Sequence, residues 1–176
     1  ENKAVGIYSI DSYYFLQEVC GNSSDTCNDP LKPEFNNLSY GIKAYGINST
    51  RYFSVYEAEF HSILRGIYVS GINDIYITNT DFEIHPDASA SLPSYGLYLD
   101  GCTGYTIEEN DFHNDQSTTK GIGMVISNSG SDPNEVYLNT FDNLEYAAIA
   151  QGYNAGKTTG LQFLCNHFNE CTMDIA

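Results

Sequence analysis

Basic residues are scarce in this chain. Seven Lys plus Arg stand against 23 Asp plus Glu, a formal net charge of −16 over 176 residues. Phosphate contacts need a basic face, so nucleic acid is excluded as a partner. The shortage also limits how an anionic polysaccharide could be held, because only calcium bridging carboxylate to carboxylate is open to this composition. No apolar run reaches membrane length, and no signal peptide or lipidation motif is present, so no membrane insertion is expected. No window of a dozen residues carries an apolar stripe at helical spacing, which excludes leucine-rich, ankyrin and tetratricopeptide repeats. Tryptophan is absent, whereas tyrosine occurs fifteen times.

What is present is a motif written twice without a gap. Residues 66–82 read GIYVSGINDIYITNTDF and residues 96–112 read GLYLDGCTGYTIEENDF. Looser copies run from Gly41 to Phe60, Gly121 to Phe141 and Ala147 to Phe168, and Gly6 opens a first one. Self-similarity at this period indicates a solenoid whose units stack to bury a continuous core. Ile67, Val69, Ile75 and Ile77, like Leu97, Leu99, Tyr105 and Ile107, alternate with their neighbours at strand period. Short strands with Gly at the corners predict an all-β fold, a single-stranded right-handed parallel β-helix of about six coils. One domain over 1–176 would form a rod roughly 30 Å long. The absence of an initiator Met and of capping elements suggests a segment of a longer protein.

These copies resemble the repeats of the pectin-lyase-like right-handed β-helix superfamily over roughly residues 5–170. Phe60, Phe82, Phe112, Phe141 and Phe168 then form an internal aromatic column. Thr80, Asn110, Asn139 and Asn166, two residues earlier, resemble the superfamily's stacked asparagine turn ladder, which satisfies buried backbone groups. The catalytic signatures do not carry over. Asn79-Thr80-Asp81 matches the Asn-Thr-Asp of the polygalacturonase branch, but its paired Asp, Gly-His-Gly and Arg-Ile-Lys are missing. Ile84-His85-Pro86-Asp87 matches the Asp-Pro-His-Asp of mannuronan epimerases only in scrambled order. Arg51 and Arg65 have no basic cluster beside them, as lyase chemistry would need. No catalytic residue is therefore assigned.

Three sets of residues remain as candidates. Glu59, Asp81 and Asp111 align in successive coils, with Glu57, Glu83, His113 and Asp115 close by. Like charges about 5 Å apart repel unless solvated, protonated or bridged, so this column is a candidate calcium site. Tyr8, Tyr68 and Tyr98 share an outward offset, with Lys43 in the coil between, and form a candidate wall for glycan or protein contact. Tyr40, Arg65, Tyr95, Lys120 and Tyr146, each one residue before the Gly corner, form a second line whose alternating rings and cations suit cation–π stacking that stabilises the corner without implying a ligand. Cys20 with Cys27, and Cys165 with Cys171, are expected as short-range disulfides of a protein outside the cytoplasm. Cys102, in the slot of Ile72 and Ile47, is expected as a buried free thiol. Insertions at 20–34, 85–94 and 113–119 are expected after the Phe strand, and those at 127–134 and 152–159 after the Gly strand.

The function expected is a non-catalytic β-helical module of a secreted or cell-surface protein, a spacer or an adhesion and glycan-contact element. Its partners would be an extracellular polysaccharide, another surface protein or the remaining domains of its parent chain. The alternative is a polysaccharide lyase or glycoside hydrolase acting on an extracellular polysaccharide.

Overall fold

A computed structural model describes residues 4–20, 30–47, 52–115 and 119–176. Among them the chain forms three parallel sheets that run the length of a solenoid, and no helix is long and apolar enough to cross a membrane. The first sheet holds Val5–Ile10, Tyr40–Tyr45, Arg65–Ser70, Tyr95–Asp100, Ile122–Ser127, Tyr146–Gln151 and Met173–Ile175. The second holds Tyr14–Leu16, Phe53–Tyr56, Tyr76–Thr78, Thr106–Glu108, Asn134–Tyr137 and Leu161–Leu164. The third holds Glu34–Asn36, Glu59–Ile63, Asp81–Ile84, Asp111–Asn114, Thr140–Asp142 and His167–Asn169. Each coil contributes one strand to each sheet, which agrees with about six coils of parallel β-helix.

The aromatic column is present and one ring longer than expected. Phe35 stacks on Phe60 at 4.6 Å, and the series continues through Phe82, Phe112, Phe141 and Phe168 at 4.9, 4.6, 5.0 and 5.4 Å between centroids. These separations follow from the strand spacing of a parallel sheet. The corner glycines exist because the column leans on them: a Cβ added to Gly96 would lie 2.6 Å from the Phe112 ring and 2.9 Å from the Gly123 carbonyl oxygen.

That contact corrects the alignment of the fifth coil. Gly123, not Gly121, packs against Phe141, and Tyr95 pairs with Ile122. Lys120 therefore falls outside the Tyr40–Arg65–Tyr95 line and donates to the Glu170 carbonyl oxygen instead. The insertion around 20–34 is also placed differently. It leaves after Tyr14–Leu16 of the second sheet and precedes Phe35.

The turn ladder forms as expected. The side-chain oxygens of Asn110, Asn139 and Asn166 accept from the backbone N–H groups of Thr80, Asn110 and Asn139 at 2.9, 3.0 and 2.9 Å. Their amide groups donate to the Ile77, Ile107 and Val136 carbonyls. The residue before each rung is left-handed, with φ of 51° at Asn79, 54° at Glu109, 54° at Leu138 and 54° at Cys165. A tight bend strips backbone groups of strand partners, and the ladder supplies replacements.

Cysteine requires one correction. Cys165 and Cys171 are free thiols rather than a disulfide. Cys165 occupies the exposed left-handed turn before His167–Asn169, whereas Cys171 lies beyond that strand, packed toward the core with its Sγ on the Phe141 carbonyl. The strand and its turn separate the two sulfurs. Cys27 lies outside the described residues, and with it the expected Cys20–Cys27 pair. Cys102 is the expected buried thiol, its pKa pushed up to about 11 by burial. Ile72 is buried like Cys102, whereas Ile47 is 78% exposed.

Candidate metal centre

Strand alternation decides what the outer face of the third sheet presents. Each column Phe points inward, so the residues before and after it point out together. The row before Phe reads Glu34, Glu59, Asp81, Asp111, Thr140, His167 in register. The row after it reads Asn36, His61, Glu83, His113, Asp142, Asn169, with a bulge between His61 and Glu83. The chain has four histidines. Three stand on these strands, and the fourth, His85, follows Asp81–Ile84 directly. One face of the rod thus gathers every imidazole among acid side chains.

Within this face Asp81, Asp111 and His113 converge, each offering a donor atom within 4.8 Å of the others. His113 Nδ1 lies 3.2 Å from Asp81 Oδ1, an oxygen screened from solvent that has no aligned hydrogen bond, so the contact is an ion pair when His113 is protonated. The Asp81 contact pushes the His113 pKa up, against the opposing effect of burial. Burial also raises the Asp111 carboxyl, with Asp81 and Asp142 adding repulsion and His113 opposing them. Beside the cluster a depression of about 440 Å³ opens where Thr140 interrupts the acid row, with Asp142, His167 and Asn169 on its far side. The cluster therefore faces solvent on one side.

Glu59 stands in the same row as Asp81 and Asp111, as expected, but its carboxylate meets Lys32 Nζ at 2.8 Å and His61 Nε2 at 3.2 Å. His61 Nδ1 lies 3.1 Å from Glu83 Oε2. Burial lowers the His61 pKa, but the contacts to Glu83 and Glu59 outweigh it, and the net direction is up. His85 Nδ1 meets Asp115 Oδ2 at 2.6 Å. His61 and His113 were legible as donors because an acid-Phe-His triplet occurs at 59–61 and again at 111–113.

The raised imidazoles set a pH dependence. A histidine that binds its proton more tightly when folded contributes stability fully present below its unfolded pKa of about 6.5, lost as pH rises through the higher folded value. The raised Asp111 acts in the same direction. Metal-free protein in chelator is therefore expected to melt at progressively lower temperature as pH rises from about 6 to 8. His113→Gln should flatten the profile. A melting temperature that rises over this range would contradict the assignment.

On the first sheet, Tyr8, Lys43, Tyr68 and Tyr98 share one outward row. The rings form a chain through Tyr45, with centroids 5.8, 5.7 and 5.4 Å apart from Tyr8 to Tyr98. Arg65 and Lys43 sit over the Tyr40 ring at 5.0 and 4.6 Å. Arg65 is buried and donates to the Leu92 and Pro93 carbonyls, so its guanidinium fastens the 85–94 loop. Arg51 lies outside the described residues.

A family described as periplasmic copper-binding protein (NosD) matches residues 34–170, more than half of the chain, and the chain belongs to it. The family's stated location agrees with a protein of the secreted or cell-surface compartment. No curated protein and no solved structure matches the chain. The donor set fits the cation in the family's description. Imidazole and carboxylate suit divalent copper, and the cluster contains none of the thiolate or thioether ligands that select the monovalent ion.

Proposed function

We propose that this chain is an extracytoplasmic β-helical module that binds divalent copper through Asp81, Asp111 and His113. The observation that carries the reading is the convergence of one imidazole and two carboxylates on a rigid parallel sheet. Calcium, the ion suggested by the acid column alone, is the weaker candidate, because it takes six to eight oxygen ligands and gains little from an imidazole. Copper also binds N and O sites more tightly than the other common divalent first-row ions. A ligand held only by the folded state stabilises by about 2.7 kcal/mol at a hundredfold excess over Kd. Copper(II) should accordingly raise the melting temperature by several degrees, calcium should have little effect, and Asp81→Asn with Asp111→Asn should abolish most of the copper effect. Equal stabilisation by calcium, or a copper effect indifferent to the double substitution, would overturn the reading.

We propose as a second role that the first-sheet tyrosines contact glycan. The continuous ring chain supports it, and Tyr8, 61% exposed, offers the most accessible face. Tyr8→Ala together with Tyr98→Ala should reduce retention on a polysaccharide array by severalfold without release of reducing ends. Retention unchanged in that double variant would leave the tyrosines a purely structural column.

A further inference from the structure

Resting on the copper reading above, we propose that the depression beside the cluster receives a small external ligand of the bound ion, a compact nitrogen base carrying a distal ammonium group. Copper(II) favours tetragonal surroundings of N and O donors, so two carboxylates and one imidazole, each giving one donor atom, leave a coordination position for a donor from outside. Asp111 and His113, two of the three cluster residues, form the near wall of the depression, whose volume is about 440 Å³. A ligand seated there reaches the ion from the side of the following coils.

The register sets the length of that ligand. Asp111, Thr140 and His167 stand in one row, and His113, Asp142 and Asn169 in the other. Two strand spacings, about 10 Å, thus separate the near wall from His167 and Asn169, which is the length of a small molecule rather than of a bare ion. His167 lies outside the group of donors that could share one ion with the cluster. Its ring is also uncommitted. His61, His85 and His113 are each engaged by a carboxylate of the protein, whereas among the described residues no carboxylate lies within ion-pair distance of His167. Its nitrogens therefore remain for a ligand in the depression that it lines.

Charge selects the far end of the ligand. Asp142 Oδ1 accepts from Asn169 Nδ2 at 2.6 Å, which fixes the carboxylate on the far wall. The two charges of the ion are offset by Asp81 and Asp111, so Asp142 leaves the occupied depression negative, on a chain of net charge −16. A ligand with a distal carboxylate would meet Asp142 as a like charge, and a distal ammonium would meet it as an opposite one. His167 adds a ring nitrogen that can accept from the same ammonium.

The test loads the full chain with one equivalent of copper(II) and titrates it with N-propylimidazole, its aminopropyl analogue and its carboxyethyl analogue, followed by calorimetry and electron paramagnetic resonance. The expected result is a second coordinated nitrogen beside that of His113. The aminopropyl compound should bind severalfold more tightly than N-propylimidazole, and the carboxyethyl compound most weakly. Asp142→Asn should remove the preference for the ammonium, and His167→Gln should weaken it. Thr140→Phe, which fills the depression, should weaken all three probes while the His113 nitrogen signal persists. Copper bound without a second nitrogen, or three equal affinities that no substitution alters, would overturn the ligand site and leave the copper reading intact. No bound copper in the parent would overturn both.

Discussion

Phe112→Ala is expected to destabilise the protein by about 3–5 kcal/mol, the range for truncating a buried Phe whose cavity cannot collapse. Phe112 has no exposed surface and lies between Phe82 and Phe141, with interplanar angles of 1° and 7°. Collapse is blocked because both flanking rings are held by strands in fixed register, and the Gly96 backbone, which forms the wall of the slot, has no side chain to move in. The loss also breaks the aromatic column at its middle, so neighbouring coils lose a shared surface. Urea unfolding measures it directly. A loss under about 1 kcal/mol would mean that the ring contributes little beyond exposed surface.

Asn139→Ala is expected to cost about 2–4 kcal/mol, because it leaves several buried polar groups without partners at once. The Asn139 side-chain oxygen accepts from both the backbone and the amide of Asn110, and its amide donates to the Ile107 and Tyr137 carbonyls and to Asn166. The residue is completely buried, so water cannot take over these bonds in place. Thr80, at the edge of the same ladder, gives an internal control. Its hydroxyl donates only to the Thr78 carbonyl, so Thr80→Ala should cost markedly less than Asn139→Ala. Equal losses would indicate that the ladder amides act merely as space-fillers.

Both columns were legible because the repeats mark them twice over. Phe and Asn recur at fixed separation from each other whatever the insertions do. The misplaced elements have specific causes. In Gly121-Ile122-Gly123-Met124 both glycines are followed by an aliphatic residue and neither by the Tyr of the clean copies, so only packing against Phe141 selects Gly123. Phe35 escaped the column because the long insertion before it hides its distance from Gly6. The Cys165–Cys171 spacing suits a disulfide in an arbitrary loop, but here a strand lies between the two residues.

The candidate site was half legible. The aligned acids Glu59, Asp81 and Asp111 follow from the repeat register alone, and the structure keeps them in one row. His113 was legible beside the row but not as a ligand, and His61 was missed, because ligands were sought along that single row. The alternation that buries each Phe also brings the residue after it to the same surface, so His61 and His113 belong with the acids. Their presence changes the favoured cation from calcium to copper. The depression beside Thr140 was not read from sequence, since it depends on how the side chains of Asp111, His113, Asp142, His167 and Asn169 stand around that break in the acid row.

The most direct test of the central claim is pulsed electron paramagnetic resonance on the His61→Gln variant loaded with one equivalent of copper(II). The account predicts nitrogen modulation from a single coordinated imidazole, lost when His113 is also replaced by Gln, with the ion then released to a modest chelator. Modulation that survives removal of His113, or a spectrum with oxygen ligation alone in the His61→Gln protein, would contradict it.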